Sequence, residues 1–326
     1  MAELQALPDV LDEKAAQTGF SGVVRVAGPD GVIGEAAYGL ADRSHAVPMR
    51  PDTRLGIASG SKAFTALVVM ALIDEGLLTL DTPARDVLGD DLPLIEPDVT
   101  VEHLLAHRSG IGDYLDEDLY TDDATYVLPV PTHRLVRTED FLQVLGGFET
   151  RFAAGSDFRY CNGGYVVLAL IAERVSGVSY HDLVRQRVCG PAGMVDTDFL
   201  RLDALPARAA RGYVKMDGEW RSNVLHLPVV ATGDGGIHTT AEDLDRFWRA
   251  LFDGRIVGEA TLQRMIGPRS VLGDGRYRYG LGFWLPAVDP SAGPATGSDA
   301  GSDADMADAP LVQVEGNDTG VSCRSR

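Results

Sequence analysis

Lysine is the scarcest charged residue in this chain. Lys14, Lys62 and Lys215 are the only three in 326 residues, and 48 acidic residues against 29 Lys and Arg give a formal net charge of −19. A groove that follows a nucleic-acid backbone needs clustered Lys and Arg. No such cluster occurs, so nucleic acid is not an expected partner, and an anionic membrane surface is disfavoured for the same reason. No apolar run reaches the length of a membrane span. The opening Met1-Ala-Glu-Leu-Gln5 lacks the basic and apolar stretches of a secretory leader, which sets the expectation of a cytoplasmic protein. Cysteine is nearly missing: Cys161, Cys189 and Cys323 are odd in number and irregular in spacing, which excludes a disulfide framework. There is no Cys-x-x-Cys and hence no implied zinc site. A Gly-x-Ser-x-Gly elbow and a P-loop are also absent, against an α/β-hydrolase and a P-loop nucleotide hydrolase.

What is present is a globular composition, 45% hydrophobic and 7% aromatic, with enough apolar surface for a sizeable core. The pattern predicts a helix over 4–17 and a hairpin of strands 22–27 and 32–38 around Gly28-Pro-Asp-Gly31. Apolar residues Ala63, Phe64, Leu67, Val68, Ala71 and Leu72 recur at helical spacing, so a helix is expected from Ser61 to about Glu75, stopped by Gly76. From Leu77 to Thr232 the signals are helices and loops, including a short helix over 101–106 capped by Thr100 and an apolar, buried helix over 164–175. A helix over 241–252 and extended segments at 279–284, 311–314 and 321–326 complete the reading. Residues 289–310 combine Pro, Ser, Gly, Ala, Thr and Asp with no basic residue, the composition of a disordered acidic insertion.

Chemistry enters at Ser59-Gly-Ser-Lys62. A serine at a helix N-terminus sits among amides that have no intrahelical acceptor, a setting that favours an oxyanion. A lysine three residues on lies on the same face, where burial can make it a proton acceptor for the serine. Such a pair alone also fits a plain helix cap beside a solvated lysine, but the apolar run Ala63–Met70 argues against solvation. Ser61 is a poorer nucleophile candidate because adjacent helical side chains diverge. Tyr160-Cys-Asn162 places a phenol and an amide two residues apart. The phenol could exchange a proton if nearby positive charge lowers its pKa, and the amide could meet both a lysine and a substrate carbonyl.

Ser-x-x-Lys followed by a polar triplet and a Lys-Thr-Gly-like strand is the signature of β-lactamases and penicillin-binding proteins. The flanking segments extend it. Ile57–Ala66, Leu104-Leu-Ala-His-Arg-Ser-Gly-Ile111, Phe158–Tyr165, Gly235–Ala241 and Tyr279-Gly-Leu-Gly-Phe283 occur in an order that resembles the class C β-lactamase-like serine hydrolases. The resemblance runs from about Gly22 to Ser322. It implies an α/β fold of the β-lactamase/transpeptidase type: one domain with an antiparallel sheet flanked by helices (1–76 and 233–326), a mostly helical part (77–232), and a cleft between. It further implies Ser59 as acylated nucleophile, Lys62 as its proton partner, Tyr160 as the catalytic tyrosine and Asn162 as a substrate-positioning amide. The oxyanion would be held by the Ser59 amide and the amide of Asn317, with Gly316 letting substrate lie against the strand. No cofactor and no metal are implied.

Two features depart from the family pattern. Its third motif usually opens with a cation, whereas here the segment reads Val314-Glu-Gly316, with Glu315 adding negative charge. A site that grips a penicillin or peptide carboxylate wants a cation there. The departure favours an ester, or an amide without a nearby carboxylate, over a β-lactam or a D-amino-acid peptide. The chain also stops at Arg326, ten residues beyond Gly316, so a further strand and closing helix are expected to be missing, and a degenerate, non-catalytic member is the remaining alternative. His103 and His107, at i and i+4, have the spacing of a zinc helix. The glutamate of that motif and a third ligand are lacking, so a surface histidine and a helix-end histidine are expected.

Overall fold

In the computed structural model, residues 7–119, 126–272, 277–286 and 311–326 are described, and the acidic stretch 289–310 lies outside them. Helix α1 (Leu7–Thr18) leads into strands β1 (Gly22–Gly28) and β2 (Gly31–Tyr38), which pair antiparallel from Gly22↔Tyr38 to Gly28↔Gly31. Gly31 has φ +127°, a conformation only glycine adopts readily, and it lets the Gly28–Gly31 turn close. Strand β3 (Leu55–Gly56) then delivers the chain into a single 3₁₀ turn, Ala58–Ser61, and helix α2 (Lys62–Asp74).

Helix α2 has ten buried residues in succession but for Ala71, and Lys62 is one of them. Its Phe64 stacks on Phe247 with ring centroids 4.9 Å apart. Burying a side chain of that size contributes about 1.5–3 kcal/mol. The short helix α3 (Val101–Leu105) is capped as expected: Thr100 accepts from the His103 amide, and His103 accepts from the Thr100 amide. Helix α4 (Asn162–Ser176) is buried over its first eleven residues and packs across α2 and α3. Gly177, at φ +69°, ends it with the left-handed geometry of a helix C-cap.

Short strand β4 (Asp198–Phe199) precedes a hairpin of β5 (Tyr213–Met216) and β6 (Glu219–Ser222). This hairpin differs from the expectation of helices and loops throughout 77–232. Its turn residues Asp217 and Gly218 both have positive φ, 52° and 83°. Asp-Gly is a strong hairpin signal that the polar residues on either side obscure.

Strand β7 (Ile237–Thr239) runs between β3 and β4, pairing Gly56↔His238 and Asp198↔His238. Helix α5 (Ala241–Phe252) follows, with the Thr240 side chain accepting from the Asp243 amide. Strands β8 (Ser270–Leu272), β9 (Tyr277–Tyr279) and β10 (Trp284–Pro286) form a meander, so 279–284 is a strand end, a turn and a strand start rather than one extended piece. Strands β11 (Val314–Asp318) and β12 (Val321–Ser325) close the described chain. β11 starts three residues later than its apolar pattern suggests. All strand pairs among the described residues are antiparallel, so helices and antiparallel sheet surround one large apolar core. No helix among them is long and apolar enough to cross a membrane.

Candidate active site

Ser59 lies in the 3₁₀ turn between β3 and α2, half-exposed, on the wall of a cavity of about 710 Å³. The preceding Ala58 has φ +45°, a left-handed conformation that costs a non-glycine residue about 1–3 kcal/mol. Such strain persists where the surroundings hold a side chain in a particular place. Ser61, the competing serine, is fully committed elsewhere: its hydroxyl donates to the Ala58 carbonyl at 2.8 Å and accepts the Ile237 amide at 3.0 Å. It braces the turn against β7 and is buried.

Lys62 is 2% exposed. Its Nζ donates to Ser59 Oγ at 2.8 Å, to Asn162 Oδ1 at 2.7 Å and to the Asp234 carbonyl at 2.7 Å. Those three acceptors use the full donor capacity of an ammonium. One turn on, Thr65 donates to the neighbouring Gly233 carbonyl at 2.5 Å, so α2 grips two consecutive peptide oxygens. The Asp234 carboxylate accepts from the buried Tyr114 hydroxyl at 2.5 Å, and burial pushes its pKa up despite the attraction of Lys62.

Asn162 is the first residue of α4. Its Nδ2 donates to the Leu115 carbonyl at 2.9 Å and to Glu117 Oε1 at 3.0 Å. Asp113 takes the helix start: its carboxylate accepts the amides of Asn162 at 2.6 Å and Gly163 at 2.8 Å. Burial pushes Asp113 up to about 6, and those amide bonds oppose the rise. The Tyr160 ring lies 4.8 Å from Lys62 Nζ. Its phenol is pushed well above the usual tyrosine range, first by burial and then by the charge of Glu117. At neutral pH it is therefore a proton-bearing group, and Lys62 alone does not lower it.

Gly316 is not on the cavity wall but pressed onto the nucleophile turn. An added Cβ would come 2.1 Å from the Ile57 carbonyl oxygen, 2.6 Å from the Gly60 nitrogen and 2.7 Å from the Ser59 nitrogen. Asn317 lines the cavity together with Ser59 and Asn162. Val314 is 2% exposed, and Glu315 is bound by Arg324 at 2.5 Å and by Gln313 at 2.6 Å, off the cavity wall.

A family model named Beta-lactamase matches residues 7–306. The chain belongs to the Beta-lactamase family. It is similar to penicillin-binding protein 4* of Bacillus subtilis, 29% identical over 89% of this chain and 64% of that protein. It thus spans just under two thirds of that relative's length. Esterase EstB of Burkholderia gladioli is 33% identical over 64% of this chain and 54% of the esterase. The crystal structure of a penicillin-binding protein from Bacillus halodurans superposes with a TM-score of 0.84 at 34% identity, covering 97% of this chain and 90% of that one. The α/β fold with antiparallel sheets read from the sequence is thereby the fold of the family.

Within this Beta-lactamase-family site, several residues give no signal in the sequence. Asp113, Asp234, Tyr114 and Glu117 carry no motif of their own; they act through a helix start, a backbone carbonyl and a side-chain amide. His107 stands out in the sequence only for its spacing from His103. It is 1% exposed with φ +55°. Its carbonyl accepts the Arg159 amide at 2.9 Å and its Nδ1 accepts the Cys161 amide at 3.1 Å, while its ring lies 4.4 Å from that of Tyr160. One residue thus holds the backbone amides of both residues that flank Tyr160. Burial and the charge of Lys62 hold His107 well below its ordinary pKa, so it stays neutral and Nδ1 stays an acceptor. Replacing His107 by Phe keeps a ring but orphans the Cys161 amide. The expected result is a loss of about 1–3 kcal/mol in stability and a fall in kcat of about 10-fold or more through a misplaced Tyr160. Thermal melting and steady-state kinetics measure both, and an unchanged kcat would remove His107 from the site's support.

Proposed function

We propose that this protein is a serine hydrolase of the esterase type, working through an acyl-enzyme on Ser59. The observation that carries the reading is the 2.8 Å contact of the buried Lys62 Nζ with Ser59 Oγ, whose residue lines the cavity. In the neutral form of Lys62, the lone pair along that contact accepts the serine proton as Ser59 Oγ attacks the scissile carbonyl. Tyr160, bearing its own proton, donates it to the departing oxygen or nitrogen and is reprotonated from Lys62. The amides of Ser59 and Asn317 stabilise the oxyanion; Asn162, whose two amide hydrogens are already bound by the Leu115 carbonyl and Glu117, positions Lys62 through its Oδ1 rather than the substrate carbonyl. Water then attacks the acyl-enzyme by the same route in reverse.

The substrate reading rests on charge. The acids Glu117, Asp234 and Asp318 line the cavity, and Lys62 is already bonded to three acceptors. Burial pushes Asp318 up to about 7, and Asp234 and Glu117 add to the rise. A carboxylate close to the scissile carbonyl would meet the charge of Glu117, and that of Asp318 as it ionises near pH 7, which favours an ester over a β-lactam. A second reading, cleavage of an amide beside a protonated amine as in a D-aminopeptidase, is favoured by the same Glu117 and Asp318. One panel separates them: p-nitrophenyl acetate, nitrocefin and D-alanine p-nitroanilide, each with wild type and Ser59→Ala. The expected order is rapid acetate release, with nitrocefin turned over at least about 100-fold more slowly, a difference of about 2.7 kcal/mol in barrier. Preferential turnover of the anilide would favour the second reading, and preferential nitrocefin turnover would overturn both.

A further inference from the structure

The cavity that holds Ser59 is far larger than a small ester requires. Its 710 Å³ is on the order of twenty times the volume of a liquid water molecule. At the nucleophile end its charged lining is acidic: Glu117 is bonded to Asn162, and Asp234 is bonded through its carbonyl to Lys62. The same cavity is also lined by the apolar Met49, Leu55 and Leu202 and by Arg43, Tyr213 and Trp220.

Arg43 is unusual in this acidic chain. Its guanidinium carbon lies 4.1 Å from the centroid of the Trp220 ring and 5.8 Å from that of Tyr213. Its backbone amide donates to the Tyr213 hydroxyl at 2.8 Å. Its guanidinium has no carboxylate within ion-pair distance and no hydrogen-bond acceptor among the described residues. Arg211, the other basic Lys or Arg residue on the described lining, is 3.8 Å from Asp42 and so already has an anion beside it. A chain with net charge −19 has ample acid to pair with Arg43, yet holds it on an indole face instead. Stacking fixes the position of the guanidinium and leaves its edge of N–H donors free for a planar anion. The platform is itself fixed: the β5–β6 hairpin docks on the β11–β12 turn, where Gly320 leaves no room for a Cβ against the Tyr213 backbone (2.6 Å) and Asn223 donates to the Thr319 carbonyl at 2.9 Å.

We propose that Arg43, stacked on Trp220, forms a carboxylate-binding subsite for substrates whose carboxylate is separated from the scissile carbonyl by an apolar spacer. The proposal rests on the reading of Ser59 as nucleophile and refines it. The family's cation beside the reaction centre is missing at Val314, and a carboxylate is instead met farther along the cleft.

The test compares octanoate with octanamide, which share length and shape and differ in charge. Each is measured as an inhibitor of p-nitrophenyl acetate hydrolysis and, by calorimetry, as a ligand of Ser59→Ala. The expected result is that octanoate binds at least 10-fold more tightly than octanamide. That ratio should fall toward one in Arg43→Gln, take an intermediate value in Arg43→Lys and shrink with added salt. Equal binding of the two ligands to the folded wild type, or a preference that survives Arg43→Gln, would overturn the proposal. If calorimetry shows the Arg43-dependent preference while p-nitrophenyl acetate is not turned over, the subsite stands and the hydrolase reading falls.

Discussion

Substituting Lys62 by Met is expected to lower kcat for an ester substrate by about 10³-fold or more, the scale seen when one member of a nucleophile–base pair is removed. Methionine has a similar unbranched reach and suits the apolar surroundings of α2, so the fold should survive. Its cost is two acceptors, Asn162 Oδ1 and the Asp234 carbonyl, left without the donor they share. At about 1–3 kcal/mol for each unmet group, partly returned by no longer burying a charge, the melting temperature should fall by several degrees. Pre-steady-state acylation rates and thermal melting check the two effects separately. Turnover within 10-fold of wild type would mean that Lys62 only ties α2 to α4 and that another group takes the serine proton.

A single methyl group at Gly316 should have an effect of similar size for a different reason. The added Cβ would stand 2.1 Å from a backbone oxygen and 2.7 Å from the Ser59 nitrogen. Neither is the end of a flexible side chain, so strand β11 or the nucleophile turn must move. Moving either displaces the Ser59 and Asn317 amides, and losing one oxyanion donor costs about 10²–10³ in kcat. Gly316→Ala is therefore expected to lose at least about 100-fold in kcat. Gly146→Ala, where an added Cβ meets nothing within 4 Å, serves as control and should stay near wild type in stability and rate. A Gly316→Ala enzyme with wild-type kcat would show that β11 does not border the oxyanion.

The parts of this molecule that can be read from its residues are those with local causes. The hairpin at Gly28–Gly31, the Thr100 and Thr240 caps and the apolar faces of α2 and α4 follow from turn chemistry, capping and periodicity. Ser59 and Lys62 are legible because one helical turn brings them together. Asn162 meets Lys62 across 100 positions of chain, and only the order of the flanking motifs hints at it. What stays hidden depends on long-range placement. Asp113 earns its role by facing the start of a helix 49 residues later, and His107 by clamping peptides more than 50 residues away. The direction of the Tyr160 pKa is equally hidden, since it follows from burial and from Glu117 rather than from the nearby lysine. Arg43 and Trp220 give no signal at all until a hairpin brings them to the same cavity.

The identity of the nucleophile is tested most directly by the mass of the intact protein after reaction with a fluorophosphonate, followed by peptide mapping. Wild type should gain one adduct, located on Ser59, and Ser59→Ala should gain none while Ser61→Ala, if folded, is still labelled. An adduct that persists in Ser59→Ala, or that maps to another residue, would contradict the assignment of Ser59.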